Sequence, residues 1–245
     1  MAPAKPLASF TSLAMGLLCT ALPAAAAPSP DADSLRQMLG ATNNFWTQQF
    51  KQLGGHYQPP TLTTFSTRID GACGQKNPLS GSFYCPADQH LYVDSKSLEA
   101  LGARAEAYSS ATVQFVIAHL VAHHVQFLIG TTALVQQARS TSTPDNANRT
   151  LVTMELQADC YAGLWLHSAS QRGLLSLSSQ ALPAVLAAVA ADSKLRARGL
   201  PPGVVVPDSM DTGTMAQRVH WTQRGFDSGN FEDCDTFGAA GRGEL

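Results

Sequence analysis

Residues 115–128 read FVIAHLVAHHVQFL, an apolar run broken by three histidines and one glutamine. The run lies inside a segment that reads as one helix over about 106–129, closed by Gly130. Val113, Val116, Ile117, Phe127 and Leu128 give that helix its core stripe, and Leu120 extends it. His119 and His123 are four residues apart, which puts them on one face with Cβ atoms about 5–6 Å apart. Two imidazoles at that spacing reach one tetrahedral zinc. In the hydrolytic form of the motif, HExxH, the second residue is the glutamate that takes a proton from the metal-bound water. Here that residue is Leu120, and the motif reads HLVAH. A helix with hydrogen-bonded core histidines has the same pattern, so this run alone leaves metal binding open.

A second helix, about 149–170, narrows the choice. It contains MELQADCYAGLWLH (154–167), in which Glu155 and Asp159 are four apart on one face. Leu151, Ala158 and Ala162 surround Glu155, a largely apolar setting for a carboxylate. Burying an unpartnered carboxylate costs several kcal/mol, and a metal held by two histidines would be its partner. Asp159 is then placed to accept the free ring N–H of a ligand histidine. The competing interpretation is a pair of solvated carboxylates on an amphipathic helix.

Composition limits the wider function. Charged residues are 14% of the 245, and the formal net charge is −2, so the chain offers no bulk attraction to nucleic acid or anionic lipid. Apolar residues at 44% supply a sizeable core and exclude a disordered, highly charged chain. Residues 1–27 read as a signal peptide: Lys5, the apolar stretch Leu7 to Leu22, then Pro23 and Ala24-Ala25-Ala26-Ala27 before polar PSPDADS. The stretch is short for a membrane span of about 20 residues, and the alternative is an uncleaved N-terminal anchor. A lipid anchor at Cys19 is disfavoured by bulky Leu18 before it. The expectation is an exported protein, periplasmic or secreted, with no span in the mature chain. Beyond Cys19 the cysteines are Cys73, Cys85, Cys160 and Cys234, an even number with three possible connectivities. Pairing Cys73 with Cys85 would close a short loop, and Cys160 with Cys234 would tie a late helix to the C-terminus. Free thiols are the alternative; a four-cysteine zinc site is disfavoured, since no CxxC occurs.

The rest of the chain reads as one α+β domain over 28–237. Residues 28–33 read as a linker. A helix over Ser34 to Leu53 follows, with Leu35, Met38, Leu39, Phe45, Trp46, Phe50 and Leu53 near the helix period and Gly54-Gly55 ending it. TLTTFST (61–67) is an edge-strand candidate after Pro59-Pro60. Ser82 to Cys85 and His90 to Val93 form a hairpin around Pro86-Ala87-Asp88-Gln89. Later helices are expected at about 180–197, with Pro183 in the first turn, and about 214–225, and a flexible Gly-rich tail from 238 to 245. His56, His90, His167 and His220 show no ligand spacing.

With these residues in place, the chain resembles the neutral zinc metallopeptidases, a family of exported or membrane-anchored bacterial proteins with a zincin-like fold. The likeness runs through NNFWTQQFKQLGGHYQPPTL (43–62), ACGQ (72–75), FYCPADQHLYVD (83–94), VIAHLVAHHVQ (116–126), ELQADCYAGLW (155–165), VVPDS (205–209), GTMAQRVHW (213–221), RGFDSG (224–229) and CDTF (234–237). ELQADC and FYCPADQ are its distinctive blocks. The family helix reads HEVGHH where this chain has HLVAHH. The resemblance implies zinc ligands at His119, His123 and Glu155, with Asp159 at the acidic position one turn on. It also implies a small edge sheet or hairpin in the N-terminal half, packed on a mainly helical C-terminal half. The hairpin over 82–93 is where such a fold presents an edge strand to an extended peptide.

The family's catalytic glutamate falls on Leu120. Zinc can still polarise a carbonyl and acidify water there, but the base worth roughly 10²–10⁴-fold is gone. His124, i+4 from Leu120, is the nearest substitute. It projects about 100° around the helix from His123 and is expected to bond elsewhere. Three functions follow: a metal-stabilised, peptide-binding pseudoenzyme; an active peptidase with another proton-transfer group; or a metal-free structural or interaction domain.

Overall fold

The computed structural model describes residues 1, 31–76, 81–105, 109–198 and 212–245, without the side chains of 193–198. Apart from Met1, the expected leader lies outside the described residues, as do residues 28–30 of the expected linker and the VVPDS block.

The first helix, α1 (Ala32–Gln52), begins at Asp31, whose carboxylate accepts from the Ser34 backbone N–H. Its buried stripe is Leu35, Leu39, Phe45, Trp46 and Phe50. Leu53 falls beyond the helix and is exposed. β1 (Thr61–Phe65) pairs in parallel with β5 (His90–Asp94), and β4 (Phe83–Cys85) pairs antiparallel with β5, giving the order β1-β5-β4. Among the described residues, β1 and β4 are therefore the edges. The β4–β5 turn uses the expected Pro86–Gln89 segment, with Gln89 at a positive φ of 54°. β2 (Ile69–Gly71) and β3 (Gly74–Lys76) form a separate small hairpin that the sequence pattern does not reveal, because apart from Ile69 its residues are polar or small. The Cys73–Cys85 disulfide ties that hairpin to β4.

From Ser95 onward the chain is helical. The helix expected over 106–129 is α3 (Ser109–Leu128), and α2 (Ser95–Ala105), which the sequence pattern does not reveal, precedes it. α2 buries Leu98, Leu101 and Gly102 at helical spacing. Gly130, at φ 84°, ends α3 and starts α4 (Thr131–Thr141). That helix escapes the pattern because Thr131 and Val135 are its buried positions. α5 (Pro144–Gln171) opens with proline in its first turn and carries Glu155 and Asp159. A 3₁₀ turn over Ser179–Ala181 leads into α6 (Leu182–Arg198), and α7 (Met215–Ser228) starts from a capping box between Thr214 and Gln217. The stretch expected as a flexible tail overlaps α8 (Thr236–Arg242), capped by Asp235, with Ala239 buried and Leu245 packed on the core.

α3 sits at the centre. Val113, Phe115, Ile117, Ala118, Val121, Ala122 and Val125 are all nearly inaccessible, and Ala111, Thr112, Gln114, Leu120, His124 and Gln126 are buried too. The helix is long and apolar enough to cross a membrane by those two criteria alone, but 72% of its apolar window is buried inside the fold. It reads as the core helix of an α+β protein.

α5 and α7 approach backbone to backbone, and two glycines allow it. A Cβ on Gly163 would lie 2.2 Å from the Thr222 carbonyl oxygen, and one on Gly225 would lie 2.1 Å from the Cys160 carbonyl oxygen. The close approach sets Arg218 of α7 against Asp159 of α5. The Cys160–Cys234 disulfide, closing a separation of 74 residues, pins the next segment to the same helix. A loop of that length is worth about 4 kcal/mol by the chain-entropy estimate.

Candidate metal centre

His119 and His123 leave α3 on adjacent turns and face Glu155 of α5. The imidazole Nε2 atoms are 3.1 Å apart. Glu155 places Oε2 3.2 Å from the first Nε2 and Oε1 3.5 Å from the second. Four-coordinate zinc with bonds of roughly 2.0–2.1 Å sets its ligand atoms about 3.3 Å apart, so the three donors form a triangle of the size that zinc requires. All three side chains are mostly buried, at 15%, 16% and 18% exposure. Among the described residues this is the group of histidine, cysteine and acidic side chains able to hold a metal ion.

The rings are held by their other nitrogens. His119 Nδ1 donates to Asp159 Oδ1 at 3.0 Å, the contact expected from the sequence. His123 Nδ1 donates to Gln126 Oε1 at 2.9 Å. The Gln126 amide is fixed in turn, with its Nε2 donating to the Met154 carbonyl (2.7 Å) and to Gln157 Oε1 (3.0 Å). With both Nδ1 atoms acting as donors, both Nε2 lone pairs are available at the same point, as ligation requires.

Asp159 is fully buried, and Arg218 explains how. Its Nε donates to Oδ2 at 2.7 Å and its Nη2 to Oδ1 at 2.9 Å, a forked pair in which Arg218 is also buried. Neither Arg218 nor Gln126 is marked as a site residue by the sequence pattern. Gln126 lies i+3 from His123, a spacing that could have flagged it. Arg218 comes from a different helix, and only the α5–α7 packing connects it to the site.

Charge in the site is arranged for a cation. Burial disfavours the charged form of Glu155, but His123 and His119 beside it hold its carboxyl well below the usual range. Burial likewise opposes ionisation of Asp159, and the Arg218 guanidinium outweighs it. For His119, burial is the largest single influence and lowers its affinity for a proton. The hydrogen bonds and charges of Asp159 and Glu155 together reverse this and push it up to about 9. In the metal-free protein a proton on His119 thus takes the place of a cation between two carboxylates.

That proton must leave when metal binds. Its contribution to folding is complete below the unfolded-state value near 6.5 and is lost as pH rises through about 9. Zinc affinity is therefore expected to rise by about tenfold per pH unit between those limits, one proton being displaced. Competition titrations against a chromophoric chelator at pH 6.5, 7.5 and 8.5 measure this. A flat profile would show that His119 gives up no proton to the metal.

A cavity of about 300 Å³ opens in front of the three donors. Its walls include Phe83 and Tyr84 of β4, Phe115 and Val116 of α3, Val135 of α4 and Leu151 of α5. Leu120 also lines it and is 5% exposed. His124 does not reach the cavity: it is fully buried, Nε2 donates to the Gln58 carbonyl at 2.6 Å, and Nδ1 accepts from the Tyr84 hydroxyl at 2.9 Å.

Residues 19–237 match the family described as "Putative neutral zinc metallopeptidase". The chain belongs to the neutral zinc metallopeptidase family. It is 38% identical over 214 residues to "Uncharacterized protein YpfJ" of Escherichia coli strain K12, covering 86% of this chain and 74% of that one. It is 34% identical over 212 residues to "Uncharacterized protein Rv2575" of Mycobacterium tuberculosis strain H37Rv, with 83% and 71% covered. No solved structure matches it. For a neutral zinc metallopeptidase, the expected architecture is present: a small sheet and hairpin in the N-terminal half packed against helices. Both disulfides join the nearest-neighbour pairs among the three possible connectivities. The remaining histidines stay outside the centre; His90, for instance, bonds Thr61 and Thr63 on the sheet, and His167 bonds the Phe226 carbonyl.

Proposed function

We propose that this protein holds zinc at His119, His123 and Glu155 and has lost efficient peptide hydrolysis, making it a peptide-binding pseudopeptidase. The observation that carries this reading is Leu120, buried at the wall of the metal cavity where an HExxH protein has its general base. Zinc, when bound, supplies a Lewis acid that polarises a carbonyl and acidifies a water.

The chain's own residues do the rest. Glu155 brings the anionic ligand, while Asp159 and Gln126 hold the two imidazoles in the ligating tautomer. Cleavage also needs an acceptor for the water's proton that can pass it to the leaving amine. Leu120 has no atom that can do so. Among the described residues, the other acid lining the cavity is Asp192, which is bound by Arg104 and by the Ser97 hydroxyl. His124 has both ring nitrogens engaged away from the cavity, and its burial favours the neutral ring.

β4 is a sheet edge, and Ser82, Phe83 and Tyr84 line the cavity, so an extended peptide is accommodated there by strand addition. The leader over 1–27 supports export to the periplasm or medium, with an N-terminal anchor as the other arrangement. The test is an assay of zinc-loaded wild-type protein on a broad peptide library, with and without phenanthroline. Cleavage is expected to stay at background. Wild-type cleavage abolished by the chelator would overturn the proposal.

A further inference from the structure

Replacing a glutamate by leucine also changes the charge of the loaded site. Among the described residues, the charged groups in or behind the cavity form compensating pairs. Arg218 is matched by Asp159, and Asp192 by Arg104. Of the charges left, Glu155 offsets half that of a divalent ion held by neutral His119 and His123. One unit of positive charge is left over, in the place where a general-base glutamate would cancel it, and Arg139 on the cavity wall adds to it. Such an excess in a partly buried site of reduced dielectric attracts an anion strongly.

The walls set what the anion is attached to. Leu101, Phe115, Val116, Val135, Leu151 and Val189 make most of the enclosure apolar, and about 300 Å³ is the lower end of the range for small-ligand sites. We infer that this cavity is a receptor for a carboxylate carried on an apolar body, and that Leu120 is the residue that makes it one. The inference rests on the zinc reading above. A single carboxylate cancels the unit of charge left at the metal, with Arg139 beside it on the wall. The edge strand β4 admits a second source of the same chemistry, the free C-terminus of a peptide ending in an apolar residue.

The test begins with zinc counted in each preparation, followed by calorimetric titration with phenylbutyrate and its neutral amide. Zinc-loaded wild type is expected to bind the acid about tenfold or more tightly than the amide. Leu120→Glu is expected to weaken the acid by about tenfold or more, and by clearly more than Leu120→Gln, which has the same shape without the charge. Acetyl-Ala-Ala-Phe and its C-terminal amide distinguish the sources. Tighter binding of the peptide acid than of phenylbutyrate assigns the site to peptide C-termini, and the reverse assigns it to small acids. Equal binding of acid and amide, or no binding by protein shown to hold zinc, would overturn the inference and leave the metal site standing. Wild type that takes up no zinc would remove both.

Discussion

Zinc-loaded Leu120→Glu protein is expected to cleave peptides about 10²–10⁴-fold faster than the wild type, the range over which a positioned general base acts. The argument is geometric. Residue 120 follows His119 on α3 and lines the same cavity as His119, His123 and Glu155, so a carboxylate there faces the reacting water. Leucine and glutamate are close in length, and the surrounding walls need little rearrangement. The new charge is not stranded, because it offsets the positive excess of the loaded site. Leu120→Gln is the control: it has the shape without the proton acceptor and is expected to stay at background. A Leu120→Glu protein that binds zinc and cleaves nothing would mean that more than the base has been lost.

Removing Arg218 is expected to destabilise the protein more than any surface substitution. Asp159 is fully buried and takes both arms of the guanidinium, so Arg218→Ala leaves a buried charge held, among side chains of the described residues, by the His119 ring N–H alone. Breaking such a pair from one side costs about 3–5 kcal/mol, which for a chain of this size lowers Tm by roughly 6–20 °C. Zinc affinity is expected to fall as well, because Asp159 orients His119. Replacing both partners by apolar residues, Arg218→Met with Asp159→Leu, is expected to recover much of the stability and none of the zinc affinity. Thermal melts of the two variants, with zinc counted in each, separate the structural role of the pair from its role at the metal. A loss below about 1 kcal/mol for Arg218→Ala would show that solvent reaches Asp159.

Much of this centre is legible in the sequence because its ligands obey local rules. His119 and His123 are fixed by helical periodicity, and so are Glu155 and Asp159; each pair needs only its own helix to be predicted. The strands around Pro86–Gln89 are legible for the same reason, since hairpin chemistry is local. What the sequence does not reveal is set by packing between distant segments. Arg218 joins Asp159 across 59 positions, through a helix contact that depends on Gly163 and Gly225. The hydrogen bonds that take His124 out of the cavity run to Tyr84 and to a backbone carbonyl at Gln58, and no periodicity encodes a carbonyl. α4 is missed because it buries so little, and α8 because glycine, read as a breaker, is tolerated once Asp235 caps the helix.

The proposed pseudopeptidase requires a metal centre that outlived its general base, and the zinc content of the purified protein decides whether it has one. Elemental analysis after dialysis is expected to find close to one zinc per chain in the wild type and none in a folded His119→Ala variant. No zinc in the wild type, or zinc retained without His119, would contradict it.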